Sequence, residues 1–237
     1  IQLLGYRGSA EVVGTALLTL AVGQLLRFGW TATFLVYTFC FLVLGLFLIF
    51  VPYEKGEVHQ HKQAKKEKMT AGQFRFTLLS ALVAGVIVLS NTAINLRVPS
   101  LVLYHQIGTA QTASLILSAM QLIGIVAGVS FAPMVGIFKD RLLTIIGICF
   151  GLSLILIGLS SNIWLLAFSA LFAGFTYSIT LTTIFHTVSE KIPPHLINQA
   201  VSITVLGCSG GASVTTFILS LIGHLSQAPL FIFSVLG

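Results

Sequence analysis

Acidic side chains are the scarcest chemistry in this chain. Asp and Glu together number six in 237 residues. All of them (Glu11, Glu54, Glu57, Glu67, Asp140 and Glu190) fall in hydrophilic stretches or at the ends of apolar runs. No two carboxylates can meet in one apolar pocket, which excludes hydrolases built on paired acids. No acid stands where an intramembrane proton relay would need one. Cysteine is scarce too: Cys40, Cys149 and Cys208 each sit within an apolar run, so they read as small hydrophobic fillers without a disulfide framework or a metal spacing. No signal peptide is expected, and no Gly-rich phosphate loop, CxxC pair or nucleophile elbow occurs in the sequence. His59 and His61 offer two metal ligands with no further set and read as a solvated loop. His186, His195 and His224 lie at the ends of apolar runs and form no triad. Catalytic residues, metal ligands and cofactors are accordingly expected to be none, and an enzyme is the disfavoured class.

What the chain has in abundance is hydrocarbon. It is 56% hydrophobic and 8% charged, with a mean hydropathy of +1.02, where a soluble domain carries about 25% charged residues. Apolar runs of about 20 residues recur along the whole length, which predicts an all-α, polytopic membrane helix bundle. The short alternating segments of a membrane barrel do not occur. One long hydrophilic segment interrupts the pattern, Tyr53–Arg75, holding six of the twelve Lys and Arg residues. Each charge at a membrane-helix centre costs about 2.5–3.5 kcal/mol, so this segment is a water-exposed loop, and its basic bias places it in the cytoplasm. The net charge of +6 comes from loops, so the expected partner is membrane lipid, through its anionic headgroups, and not nucleic acid.

The spans are counted outward from that loop. Before it, Ser9–Leu26 ends at Arg27-Phe28-Gly29-Trp30, and Thr31–Val51 closes at Pro52. After it come Phe76–Leu96, ended by Arg97 and Pro99, then Thr112–Val135, the short loop Gly136–Arg141, and Leu142–Leu159. Following the turn Ser160-Ser161-Asn162 are Ile163–His186, closed by Pro193-Pro194, and Asn198–Leu221. Pro229–Gly237 begins an eighth span. The sequence starts at Ile1 without an initiator Met and stops within an apolar run, so it reads as a piece of a longer protein. Alternation places Arg7, the six basic loop residues, Lys139, Arg141 and Lys191 inside, and only Arg27 and Arg97 outside, the asymmetry of the positive-inside rule. Single cysteines at positions 62 and 191 are therefore expected to react with an impermeant thiol reagent only from the cytoplasm, and one at 161 only from outside. Labelling of position 62 from outside intact cells contradicts the map.

Polar residues within the spans are the candidates for a site. Gln111, Ser114, Ser118, Gln121, Gly124, Gly128 and Ala132 follow at spacings of three and four on one helix face. The small residues read as close helix packing, as do Gly147 with Gly151 and Gly207 with Gly211. Gln121 either finds a partner or faces a cavity, because an amide near mid-bilayer needs a partner or water. Ser169, Ala173, Thr176, Thr180, Thr183 and Thr187 share a face, with Tyr177 beside them. Those hydroxyls either bond back to their own helix or form a wall against solute. Asn91 and Asn95, one turn apart, stand in the same position. Arg97 reads as an interfacial snorkeller.

Gly29-Trp30…Phe34 ahead of a long basic loop, the run Gly136-Ile-Phe-Lys-Asp140-Arg141, and the order of the later spans with Pro193-Pro194 resemble the major facilitator superfamily from its fifth helix onward. The loop run resembles the family's G-x-x-x-D-R motif, although Leu142, Leu143 and Thr144 depart from its continuation. The Gly-Trp junction is similar to that of bacterial drug-efflux members. The resemblance implies a partial twelve-helix fold in which two helix bundles rock about a midplane site. Residues 1–52 would be the last two helices of the N-terminal half, 53–75 the cytoplasmic linker and 76–237 the C-terminal bundle. It implies a secondary transporter in a bacterial inner or plasma membrane, monomeric when complete, exporting a small-molecule amphipathic substrate with proton coupling through the missing half. It also implies a conformational role for Gly136, Asp140 and Arg141. Within the same fold an uptake permease and a non-transporting receptor or scaffold remain open.

Overall fold

The computed structural model of the chain describes residues 2–50, 69–138 and 141–225, and in these all regular structure is helical. Helix α1 (Gln2–Leu25) passes through a short 3₁₀ turn, Leu26–Phe28, to Gly29. Gly29 has φ 110°, a conformation that favours glycine because a Cβ would clash there. A 3₁₀ segment, Trp30–Thr38, then leads into α2 (Phe39–Phe50). The long helices are α3 (Ala71–Tyr104), α4 (Ala110–Phe138), α5 (Leu142–Leu159), α6 (Ile163–Lys191) and α7 (Ile197–Leu225). Among the described residues, six stretches are long and apolar enough to cross a membrane: Trp30–Phe50 and one each in α3 to α7. Residues 53–68 of the basic loop, His59 and His61 among them, lie outside the described residues, as do Asp140 and the eighth span.

Helix α5 spans the residues its sequence predicts, but the other long helices overrun theirs. Helix α3 starts five residues before Phe76, inside the hydrophilic segment, because Thr70 and Gln73 form a reciprocal capping box. Thr70 Oγ1 accepts from the Gln73 amide at 3.4 Å and Gln73 Oε1 accepts from the Thr70 amide at 3.0 Å. At its far end α3 does not stop at Leu96. It runs through Arg97 and Pro99, and Val98, Leu101 and Val102 are buried in the core. Proline has no amide to give the Asn95 carbonyl, and packing of that last stretch outweighs the lost bond. Helix α6 likewise extends past His186 to Lys191, whose Nζ stands 5.2 Å above the Phe76 ring of α3. Its start is fixed by Asn162, whose side chain accepts from the Trp164 amide.

Lipid tails are as apolar as leucine, so these helices associate through close packing and polar contacts more than through hydrophobic burial. The tightest pair is α3 with α7. Leu89 O and Thr215 Oγ1 meet across them at 3.5 Å, 126 residues apart. The same offset pairs Ala81 with Gly207 and Gly85 with Gly211, where an added Cβ on either α7 glycine would run into the α3 backbone. A constant offset means that the two helices run parallel. Steps of four residues mean that their i±4 ridges interlock.

Helices α4 and α6 close around Gly174, where a Cβ would meet the Met120 side chain at 2.8 Å, and Gly124, where it would meet Ser178 Oγ at 2.8 Å. Helix α1 runs antiparallel to α4, with Gly23 against Ser114. A core of Ile94, Leu117, Met120, Phe150, Leu154 and Ala173, with Tyr177 at its edge, joins α3, α4, α5 and α6. Among the described residues, Gly128 and Gly147 meet nothing within 4 Å. Gly128 lies on an exposed part of α4 that no described helix covers, and Gly147 lines an open notch on α5. No described residue of Trp30–Phe50 is buried.

Candidate functional site

Among the described residues, three side-chain oxygens are buried without a hydrogen-bond partner: Asn91 Oδ1 on α3, and Ser118 Oγ and Gln121 Oε1 on α4. Ser118 itself is 1% exposed. At 1.5 Å per residue, Asn91 lies about 20 Å from the Tyr104 end of α3 and Gln121 about 17 Å from the Ala110 end of α4. Tyr177 lies about 21 Å from the Ile163 end of α6 by the same measure. All three ends are on the side away from the basic loop. With a hydrocarbon core of about 30 Å, these residues sit at a common depth near the middle of the bilayer. A buried oxygen left without a partner there costs about 1–3 kcal/mol.

The other half of the Gln121 amide is partly engaged. Gln121 Nε2 donates to Thr19 Oγ1 of α1 at 3.5 Å, a long bond, and Thr19 Oγ1 donates to the Thr15 carbonyl at 2.8 Å. Asn95 Nδ2 donates to the Asn91 carbonyl at 2.9 Å, so this amide is turned back along its own helix. Tyr177 packs its ring against Phe150, centroids 6.2 Å apart.

The threonine face of α6 is placed differently. Thr176 and Thr180 are buried and donate to carbonyls of their own helix, Thr176 to Phe172 at 2.8 Å and Thr180 to Thr176 at 2.7 Å. Thr183 and Thr187 bond back in the same way. In this arrangement the face packs against its neighbours with its hydroxyls already spent.

Arg97 does more than lie at the interface. Its Nη2 donates to the Leu219 carbonyl of α7 at 3.2 Å, across 122 residues, from a half-buried position. Near the basic side His186 Nδ1 lies 3.8 Å from Glu190 Oε2, and its ring is edge-on to Phe131. Gly136 is exposed on the last turns of α4 and Arg141 is exposed just ahead of α5. No group of His, Cys, Asp or Glu among the described residues could hold a metal.

The arrangement is that of a multi-pass helical membrane protein whose only orphaned buried polar atoms, among the described residues, gather at one depth between helices. The Major Facilitator Superfamily model matches residues 2–233, and the chain belongs to that superfamily. Its membrane-length helices and this membership make it a secondary transporter. Neither a curated protein nor a solved structure gives a match.

Sequence spacing puts Asn91 and Gln121 among the candidates but misses Ser118 as anything beyond a packing residue. It also misses the Arg97–Leu219 tie, for which a chain read in one dimension carries no signal. The Thr70 capping box is legible as T-x-x-Q and marks the true start of α3.

Proposed function

We propose that the chain exports small amphipathic solutes by alternating access, and that Asn91, Asn95, Gln121 and Tyr177 contact the solute near mid-membrane. The observation that carries this reading is the set of orphaned oxygens at Asn91, Ser118 and Gln121. Buried acceptors without partners are retained where something else supplies the donor, and a solute carrying N–H or O–H groups does so. Thr176 and Thr180 stand behind this site as a rigid wall. The helices α1 and Trp30–Phe50 form the end of the first bundle, α3 to α7 form the second, and residues 53–75 link them. The Gly136–Asp140–Arg141 loop holds the bundles on the cytoplasmic side in one state, through charge-assisted bonds that break as they rock. The outward direction rests on the resemblance of the Gly29-Trp30 junction to drug-efflux members. Proton coupling falls to residues outside this stretch, because the one acid in its spans, Glu11, stands at the entry of the first.

Inside-out membrane vesicles carrying the full-length protein test this. Ethidium, an amphipathic fluorescent cation, is expected to accumulate on energisation, to leak back when a protonophore collapses the gradient, and to accumulate several-fold more slowly with Gln121→Leu. A correctly inserted protein that moves no dye under any gradient overturns the efflux reading.

A further inference from the structure

The α3–α7 seam is built of rungs, and the last of them differs from the rest. The offset of 126 residues pairs Ala81 with Gly207, Gly85 with Gly211 and Leu89 with Thr215. It then pairs Ala93 with Leu219, which are buried together, and finally sets Arg97 opposite Gly223. Arg97 is the one charged residue among these rungs. It follows Asn91 by six residues, about 9 Å farther from the basic loop, inside a hydrocarbon half-thickness of about 15 Å. An arginine at that depth usually snorkels toward the headgroups. This one turns the other way, because side chains on a helix lean toward its N-terminus, which for α3 is the end at the basic loop. Its Nη2 reaches back one rung to the Leu219 carbonyl at 3.2 Å.

A single neutral carbonyl leaves most of a guanidinium unanswered. The group carries five N–H donors in a planar fork, and it keeps its charge when buried. Arg97 makes no other hydrogen bond or ion pair among the described residues. The acids of this stretch lie at the opposite side of the membrane. Glu11 stands in the half of α1 nearer the basic loop, Glu54, Glu57 and Glu67 lie within that loop, and Asp140 and Glu190 follow or end α4 and α6 on the same side. The approach from the outer end, by contrast, is polar. Ser100 and Tyr104 follow Arg97 at i+3 and i+7, on one face of α3. Both are exposed, and neither hydroxyl makes a hydrogen bond among the described residues.

We propose that Arg97 is an oxyanion site: the free edge of its guanidinium binds a carboxylate or phosphate group that enters past Tyr104 and Ser100. The fork matches two oxygens of such a group at once, a geometry that lysine cannot offer. The Leu219 carbonyl holds the fork in place, and the oxyanion offsets a charge that hydrocarbon disfavours. Two sources bring this chemistry to the outer end of α3: the phosphodiester of a phospholipid in the outer leaflet, and the acid group of a dissolved anion. The site stands apart from the efflux reading, since an anion binds here whether or not solute moves.

Thermal melting of the full-length protein, purified in maltoside detergent and stripped of lipid, tests the site. Four additives are titrated: dioleoylphosphatidylglycerol, dioleoylglycerol (the same chains without phosphate), inorganic phosphate and acetate. A ligand held by the folded protein raises its melting midpoint. The midpoint is expected to rise with at least one oxyanion and not with dioleoylglycerol. Arg97→Gln should need at least about tenfold more of that oxyanion for the same rise. Arg97→Lys, which keeps the charge without the fork, should need severalfold more, and it carries the comparison if the glutamine variant does not fold. A rise with phosphatidylglycerol alone identifies a lipid headgroup as the ligand, and a rise with phosphate or acetate a dissolved anion. No rise with any oxyanion overturns the proposal. So does a rise that the folded Arg97 variants show in full at the same concentrations, which would come from the basic loop. The readout involves no transport, so it stands or falls separately from the ethidium experiment.

Discussion

Replacing Gly211 with leucine is expected to take the bundle apart. A Cβ at this position would run into the carbonyl and lie 2.9 Å from the Cα of Gly85. The obstacle is backbone, which cannot rotate away as a side chain does. Overpacking a core typically costs about 1–3 kcal/mol. Here one residue also forces apart the ladder that includes Ala81 with Gly207 and Thr215 with Leu89. The expected result is loss of the monodisperse peak in detergent, or a melting midpoint lowered well beyond that of controls. Gly128→Leu and Gly147→Leu are those controls: at either glycine a Cβ would have open space, with no atom within 4 Å, so both variants should melt like the parent. Equal damage from all three substitutions would mean that α3 and α7 do not meet in this register.

Asn91→Leu is expected to move stability and transport in opposite directions. The Asn91 Oδ1 is buried and unpaired, and removing an unsatisfied buried acceptor relieves about 1–3 kcal/mol. Leucine also suits the apolar neighbours Ile87 and Ile94. The variant should therefore melt at a higher temperature than the parent. It should also move solute about two- to tenfold more slowly, since one lost neutral hydrogen bond is worth about 0.5–1.5 kcal/mol and about 1.4 kcal/mol is a factor of ten. A more stable variant with full transport would make Asn91 a packing residue. A less stable one would mean that its amide has a partner in the resting protein.

How far the sequence can be read depends on what each signal measures. Apolar run length locates the spans because a helix must match the hydrocarbon thickness. It misplaces their ends because caps such as Thr70–Gln73 and the last turn to Tyr104 are set by local hydrogen bonds and packing, not by hydropathy. Small-residue spacing is a statement about one helix face. It reads the same for Gly207 and Gly211 as for Gly128 and Gly147, and only the three-dimensional arrangement decides which face a neighbour covers. Threonine periodicity in α6 has the same ambiguity, and the structure turns those hydroxyls onto their own carbonyls. In α7 the two glycines mark only the packed side.

The central claim is that the mid-membrane polar residues are reached alternately from the two sides of the membrane. One cysteine in place of Asn91 tests it most directly. In a cysteine-free background, Asn91→Cys is exposed to an impermeant thiol reagent in right-side-out and in inside-out vesicles. Alternating access predicts that the same cysteine labels in both preparations, at different rates, and that blocking it from one side removes labelling from the other. Labelling from neither side would make the position a dry packing site, and labelling from one side alone would leave a pocket without a transport cycle.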